Sequence, residues 1–199
     1  MMKQAIVNEA EEIGRAQQHD HAAWLILVTR HQEAVFRMAY LLLGNADDAQ
    51  DVAQETFLQA FRHLQRFDRT RPLRPWLLQI AKNRARNRRR SVRRYLAAWQ
   101  RWWQNPAQQA TFTAHHADSE LIWQAVQRLR VSDQEIIYLR YFLELSVHET
   151  AATLGVAEGT VKSRLARALA RLRVLITQDF PELHPSTLKP LGAREEVAE

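Results

Sequence analysis

No cysteine occurs in this 199-residue chain, which excludes a disulfide framework, a thiolate metal site and a cysteine nucleophile. Glycine and proline are scarce, five and six respectively, too few for a fold built on tight turns, so an all-α protein is expected. No uninterrupted apolar run approaches the roughly 18 residues needed to cross a bilayer. The opening MMKQAIVNEAEEIGRAQQ lacks the basic-then-apolar pattern of a signal peptide, so the expectation is a cytoplasmic protein without membrane insertion. There is no glycine-rich phosphate loop, no nucleophile elbow and no histidine pair at helical i, i+4 spacing, so no enzyme and no cofactor are expected. The adjacent His115 and His116 lie in a polar stretch without a carboxylate constellation and make poor metal ligands.

What the chain does have is charge, unevenly placed. The formal net charge is +6, with 28 Lys and Arg against 22 Asp and Glu. Residues 1–61 carry four basic and nine acidic side chains, whereas residues 62–94 carry thirteen basic ones and a single acid, Asp68. Such a concentrated basic block suits a polyanion. With 46% hydrophobic residues, the chain can still bury real cores.

Apolar residues recur at three- and four-residue steps from Trp24 to Leu42, predicting a helix with Trp24, Leu25, Val28, Val35, Met38, Ala39 and Leu42 on its core face. Gly44-Asn45 ends it. A second helix is predicted from Ala46, opening with Asp47, Asp48 and Asp51 at the positive end of its dipole and burying Val52, Phe57, Ala60, Phe61 and Leu64. Phe67 to Pro75 reads as a loop, after which a helix carries Trp76, Leu77, Ile80 and Ala81 and turns arginine-rich. Val92, Tyr95, Leu96, Trp99, Trp102 and Trp103 extend an apolar stripe, either packed inward or a partner surface. The polar, aperiodic stretch 104–118 reads as a linker.

The sharpest local pattern follows. Ser146-Val147-His148-Glu149 is a capping box, in which serine and glutamate each satisfy the other's backbone N–H. The helix it opens ends at Gly155. Another helix then places Val161, Leu165, Ala168, Leu169 and Leu172 on one side and Thr160, Ser163, Arg164, Arg167 and Arg171 on the other, with Lys162 beside them. That is a helix-turn-helix whose exposed face bears hydroxyls and guanidiniums, groups that contact phosphates and guanine edges in a major groove.

At these residues the chain resembles a known family. LSVHETAATLGVAEGTVKSRLARALARLRVLI (145–176) resembles region 4 of the extracytoplasmic-function (ECF) sigma factors, promoter-specificity subunits of bacterial RNA polymerase. DDAQDVAQETFLQAF (47–61) resembles their region 2.2, and PWLLQIAKNRARNRRR (75–90) their regions 2.3 and 2.4. The resemblance implies two small helical domains: region 2 over residues 20–94 and region 4 over 119–176. An N-terminal segment (1–19), a Trp-rich extension and linker (95–118) and a flexible tail (177–199) complete the chain.

It also implies roles. Asp51, Gln54, Glu55 and Leu58, at i, i+3, i+4 and i+7, would dock on a coiled coil of the largest polymerase subunit, and region 4 would reach the polymerase flap. Lys82, Asn83, Arg84, Arg86 and Asn87 would hold unstacked bases and backbone of the minus-ten element, with Trp76 and Ile80 in the core. Thr160, Lys162, Ser163, Arg164, Arg167 and Arg171 would read the minus-thirty-five element. An anti-sigma factor would be a further partner, and the free chain would be a monomer.

Departures from the family pattern are Arg84, Arg86 and Arg89 in place of apolar residues, Asn87 in place of aspartate, and Ala157 in place of a capping serine. The alternative reading is a dimeric helix-turn-helix regulator that binds operators without polymerase. A third is a basic protein that coats nucleic acid without sequence preference.

Overall fold

The computed structural model describes residues 2–100 and 117–180, with side chains over 9–90 and 121–180. Among the described residues every element is helical, as expected for an all-α chain. Two compact units form. The first holds α1 (Met2–Gln17), α2 (His21–Leu43), α3 (Ala46–His63), a 3-10 turn (Leu64–Arg66) and α4 (Leu73–Gln100). The second is built on α5 (Ala117–Arg128), α6 (Val131–Ile137), a π-helical turn (Tyr138–Phe142), α7 (Val147–Leu154) and α8 (Glu158–Asp179). Trp102, Trp103, the linker up to residue 116 and the tail from 181 lie outside the described residues, as do the side chains of 91–100.

In the first unit, each helix boundary has a local cause. Asp20 caps α2, accepting from the N–H groups of Ala22 and Ala23 at 2.9 and 3.1 Å. These backbone bonds, with the Arg15 ion pair, hold the Asp20 carboxyl below its ordinary pKa. Gly44 stops α2 in the left-handed region at φ 72°, its N–H donating to the Tyr40 carbonyl at 2.8 Å. Asn45 caps α3 by accepting from Asp48 N–H at 2.8 Å. The core is Leu27, Val35, Met38 and Ala39 of α2, Ala49, Val52, Thr56 and Ala60 of α3, and Leu73, Leu77, Leu78, Ile80, Ala81 and Ala85 of α4. Ile80 is buried as expected, and Trp76 is half-buried with its ring 4.7 Å from that of Phe67.

Two sequence expectations change here. Leu25 of α2 is 64% exposed and Phe61 of α3 is 37% exposed, while Trp24, Val28 and Phe57 are half-buried. None of these five belongs to the closed core. The second change concerns α1. The N-terminal segment is a helix of the first unit, anchored by fully buried Ile13 and by Ala16. Gln17 donates its side-chain amide to the carbonyls of Leu64 and Phe67, both at 2.9 Å. Glu9 sits against His31 at 2.9 Å and accepts from Leu73 N–H at 3.2 Å, and Arg30 pairs with Glu12 at 2.6 Å.

The second unit is held by Ile136, Ile137, Tyr138 and Leu139, packed with Val161, Ala168, Leu172 and Ile176 of α8. Tyr138 and Phe142 enclose Trp123 of α5, with ring centroids 5.5–5.8 Å apart.

Burial alone would raise the Glu9 pKa, but the hydrogen bonds from His31 and Leu73 and the charges of His31 and Arg30 prevail and lower it. A lowered folded-state value means stability that is present above the unfolded value of about 4.5 and lost as pH falls through the folded value. Acidification from pH 6 to pH 3 is therefore expected to loosen α1. Glu9→Gln should lose this part of the acid sensitivity, measured by amide exchange at Ile13 and Ala16.

Candidate nucleic-acid and polymerase interface

In α3, the residues Asp51, Gln54, Glu55 and Leu58 do not act as one stripe. Gln54 and Leu58 turn towards α2, where they join Trp24, Leu25, Phe36 and Phe57 around an open apolar groove of about 900 Å³. Leu58 is 59% exposed there. Asp51 and Glu55 lie on the adjoining side of the helix, next to α4. Arg88 donates to Asp48 and Asp51, each at 2.8 Å, and Arg84 donates to Gln59 at 2.9 Å and to Glu55. Burial pulls the Arg88 pKa down, but the hydrogen bonds and charges of Asp48 and Asp51 more than offset it, leaving a net rise.

Two sets expected to face different partners thus meet each other. Arg84, expected at promoter DNA, is bound to Glu55, expected at polymerase. Asn83, Arg86 and Asn87 are exposed along α4. Lys82 stands beside Asn83 on the same helix.

Helical periodicity puts Trp24, Leu25, Phe57 and Phe61 on core faces and so hides the groove. A signal was present: Leu25, Ile26, Leu27 and Val28 are four consecutive apolar residues, more than one face of a helix can bury. Ile26 is 43% exposed as a result.

In the second unit the capping box forms as read. Ser146 N–H donates to the Glu149 carboxylate at 2.8 Å, and Glu149 N–H donates to Ser146 Oγ at 3.1 Å. Gly155 takes φ 69°, the left-handed conformation that closes α7. Ala157 starts α8 without a side-chain cap. A hydrogen bond crosses this turn, with His148 Nδ1 2.9 Å from Glu158 Oε1, both side chains largely exposed.

On α8, Lys162, Ser163, Arg164 and Arg167 are exposed and Thr160 is half-buried. Ser163 Oγ donates to the Thr160 carbonyl at 3.2 Å, and Arg167 Nε donates to the Ser163 carbonyl at 3.1 Å. Arg171 departs from this row. It pairs at 2.7 Å with Asp133, a buried carboxylate in the first turn of α6. The N-cap of α6 is Arg130, without a side-chain bond. Asp133 serves instead to tie α6 to α8 through Arg171.

Removing Arg171 strands a buried charge, whereas Arg167 supports only its own helix. Urea unfolding of Arg171→Ala is expected to show a loss of about 1–3 kcal/mol. Arg167→Ala should stay within about 0.5 kcal/mol of the parent.

Among the described residues no helix is long and apolar enough to cross a membrane, and no group of three His, Asp or Glu could hold a metal ion. Residues 27–95 match the sigma-70 region 2 family and residues 119–172 the sigma-70 region 4 family. The ECF RNA polymerase sigma factor SigL of Mycobacterium tuberculosis is 35% identical over 155 residues, covering 76% of this chain and 88% of SigL. The solved structure of CnrH in complex with the cytosolic domain of CnrY superposes with a TM-score of 0.65 at 28% identity, covering 86% of this chain and 99% of that one. The sigma factor RpoE from Bartonella quintana, solved with the anti-sigma factor NepR, gives 0.62 at 26% identity, covering 76% and 95%. Two helical units, a capped helix-turn-helix in the second, and matches to both regions in the order the sequence motifs require have one reading: the chain belongs to the ECF subfamily of sigma-70-type RNA polymerase sigma factors.

Proposed function

We propose that this sigma factor brings core RNA polymerase to promoters through separate surfaces of its two units, residues 20–94 acting as region 2 and residues 119–176 as region 4. The observation that carries the docking assignment is the apolar groove between α2 and α3, rimmed by Gln54 and the exposed Leu58 and flanked by the acids of α3. A large apolar patch beside a row of carboxylates suits a partner helix that is itself apolar and basic. The largest polymerase subunit's coiled coil is that partner for initiation. An anti-sigma factor is the competing one; the related RpoE was solved with the anti-sigma factor NepR.

Along α4, the exposed Asn83 and Asn87 stand one turn apart with Arg86 beside them, an arrangement of amides and cation suited to an unstacked strand. On α8, Lys162, Ser163, Arg164 and Arg167 form the row that would enter the major groove of the upstream element. Duplex opening on this scheme requires no chemistry by the chain, since capture of unstacked bases shifts an existing equilibrium. The protein would work in the cytoplasm, where polymerase is, as a monomer when free.

Purified core polymerase, given this chain and a promoter library, is expected to yield promoter-specific transcripts that core alone does not. Leu58→Asp should abolish co-purification with core without unfolding the chain, because the side chain is already exposed. Operator binding as a dimer, with no transcripts and no association with core, would establish the regulator reading instead. Arg167→Ala should weaken use of the upstream element by about 1–3 kcal/mol if the guanidinium reads a base.

A further inference from the structure

The α3–α4 ion pairs join the surface assigned to polymerase with the helix assigned to the promoter strand. Arg84 and Arg88 stand one turn apart on α4, immediately following Asn83 and Asn87, also one turn apart. A strand laid along the two asparagines therefore passes beside both guanidiniums. In the free chain those guanidiniums are already engaged: Arg84 by Glu55 and Gln59, Arg88 by Asp48 and Asp51. The engagement is exchangeable. Glu55 and Asp51 are 46% and 56% exposed, so an approaching cation can reach both carboxylates. Pairs this open to water contribute little net stability, so replacing one cation by another is nearly isoenergetic.

From this geometry we infer that docking on the acidic side of α3 and capture of the promoter strand are coupled by exchange of these ion pairs. A basic helix of the polymerase takes the carboxylates of Asp51 and Glu55 and draws off Asp48, itself 33% exposed, and the released guanidiniums of Arg84 and Arg88 turn to backbone phosphates. The inference rests on the docking assignment above. Because coupling of two binding events is reciprocal, a strand that takes the arginines also presents the carboxylates to polymerase. Free, the chain withholds two of its cations from DNA, so its own acids limit promoter binding before polymerase arrives.

The test needs only the full chain and a fluorescein-labelled 15-nucleotide single strand, with affinity measured across salt concentrations. In the parent, the double substitution Arg84→Gln/Arg88→Gln is expected to change affinity by less than about twofold, since both side chains are held. In a background of Asp48→Asn, Asp51→Asn and Glu55→Gln both arginines lose their ion pairs, and Arg84 keeps only the neutral hydrogen bond to Gln59. That background should bind more tightly, with a salt slope steeper by about 1.4, from two added phosphate contacts at about 0.7 each. Adding the arginine substitutions there should remove the steeper slope and lose roughly tenfold in affinity.

An arginine effect of equal size in both backgrounds overturns the inference, because a mere change of net charge would act additively. If the triple background fails to fold, Glu55→Gln with Arg84→Gln reads one pair in the same way, with an expected slope change of about 0.7. Co-purification with core separates the two claims. A chain that binds core but shows additive arginine effects refutes the exchange; one that never binds core refutes the docking assignment.

Discussion

The packing of α4 is the constraint on which the first unit depends. Its early turns, Leu73 to Ala85, must lie against α2 and α3 to close the core, yet the same helix carries the densest positive charge in the chain. Unopposed, those charges would repel one another beside a low-dielectric interior. The structure resolves this by placing Asp48, Asp51, Glu55 and Gln59 of α3 opposite Arg84 and Arg88. The acids at the start of α3 therefore have two tasks. They complement the helix dipole, and they neutralise the flank of the neighbouring helix.

With that flank neutralised, α3 is free to offer its other side. Leu58, Gln54, Phe57 and Phe61 project towards α2 and leave the apolar groove open. The division of labour along one helix is geometric: positions 51 and 55 fall on the α4 side, 54 and 58 on the α2 side. The second unit follows the same logic on a smaller scale. Asp133 turns Arg171 inward, and the remaining polar row on α8 faces outward.

Much of this was legible in the sequence, unevenly. The α2 stop at Gly44, the start of α3, the capping box and the Gly155 turn were readable because each depends on a few adjacent residues. The helix periods were readable too, but not which apolar residues would close the core. Trp24, Leu25, Phe57 and Phe61 have core chemistry and lie on a face that the described residues leave partly open. Helix α1 was not legible, since its anchors depend on pairings with residues 18 to 64 positions away, such as Arg30 with Glu12 and Leu73 with Glu9. Partner choice among charges was invisible for the same reason. Asp51 with Arg88 and Asp133 with Arg171 are separated by 37 and 38 residues. A stripe of like residues on one helix says which side chains share a face, not which opposing face will neutralise them.

The acids of α3 and the arginines of α4 form one interface in the free chain. A double-mutant cycle between Asp51 and Arg88, read by urea unfolding of Asp51→Asn, Arg88→Gln and the combined variant, tests it most directly. An interaction energy of about 0.5–1 kcal/mol, diminishing with added salt, is expected. Losses that simply add, at low as at high salt, would contradict it.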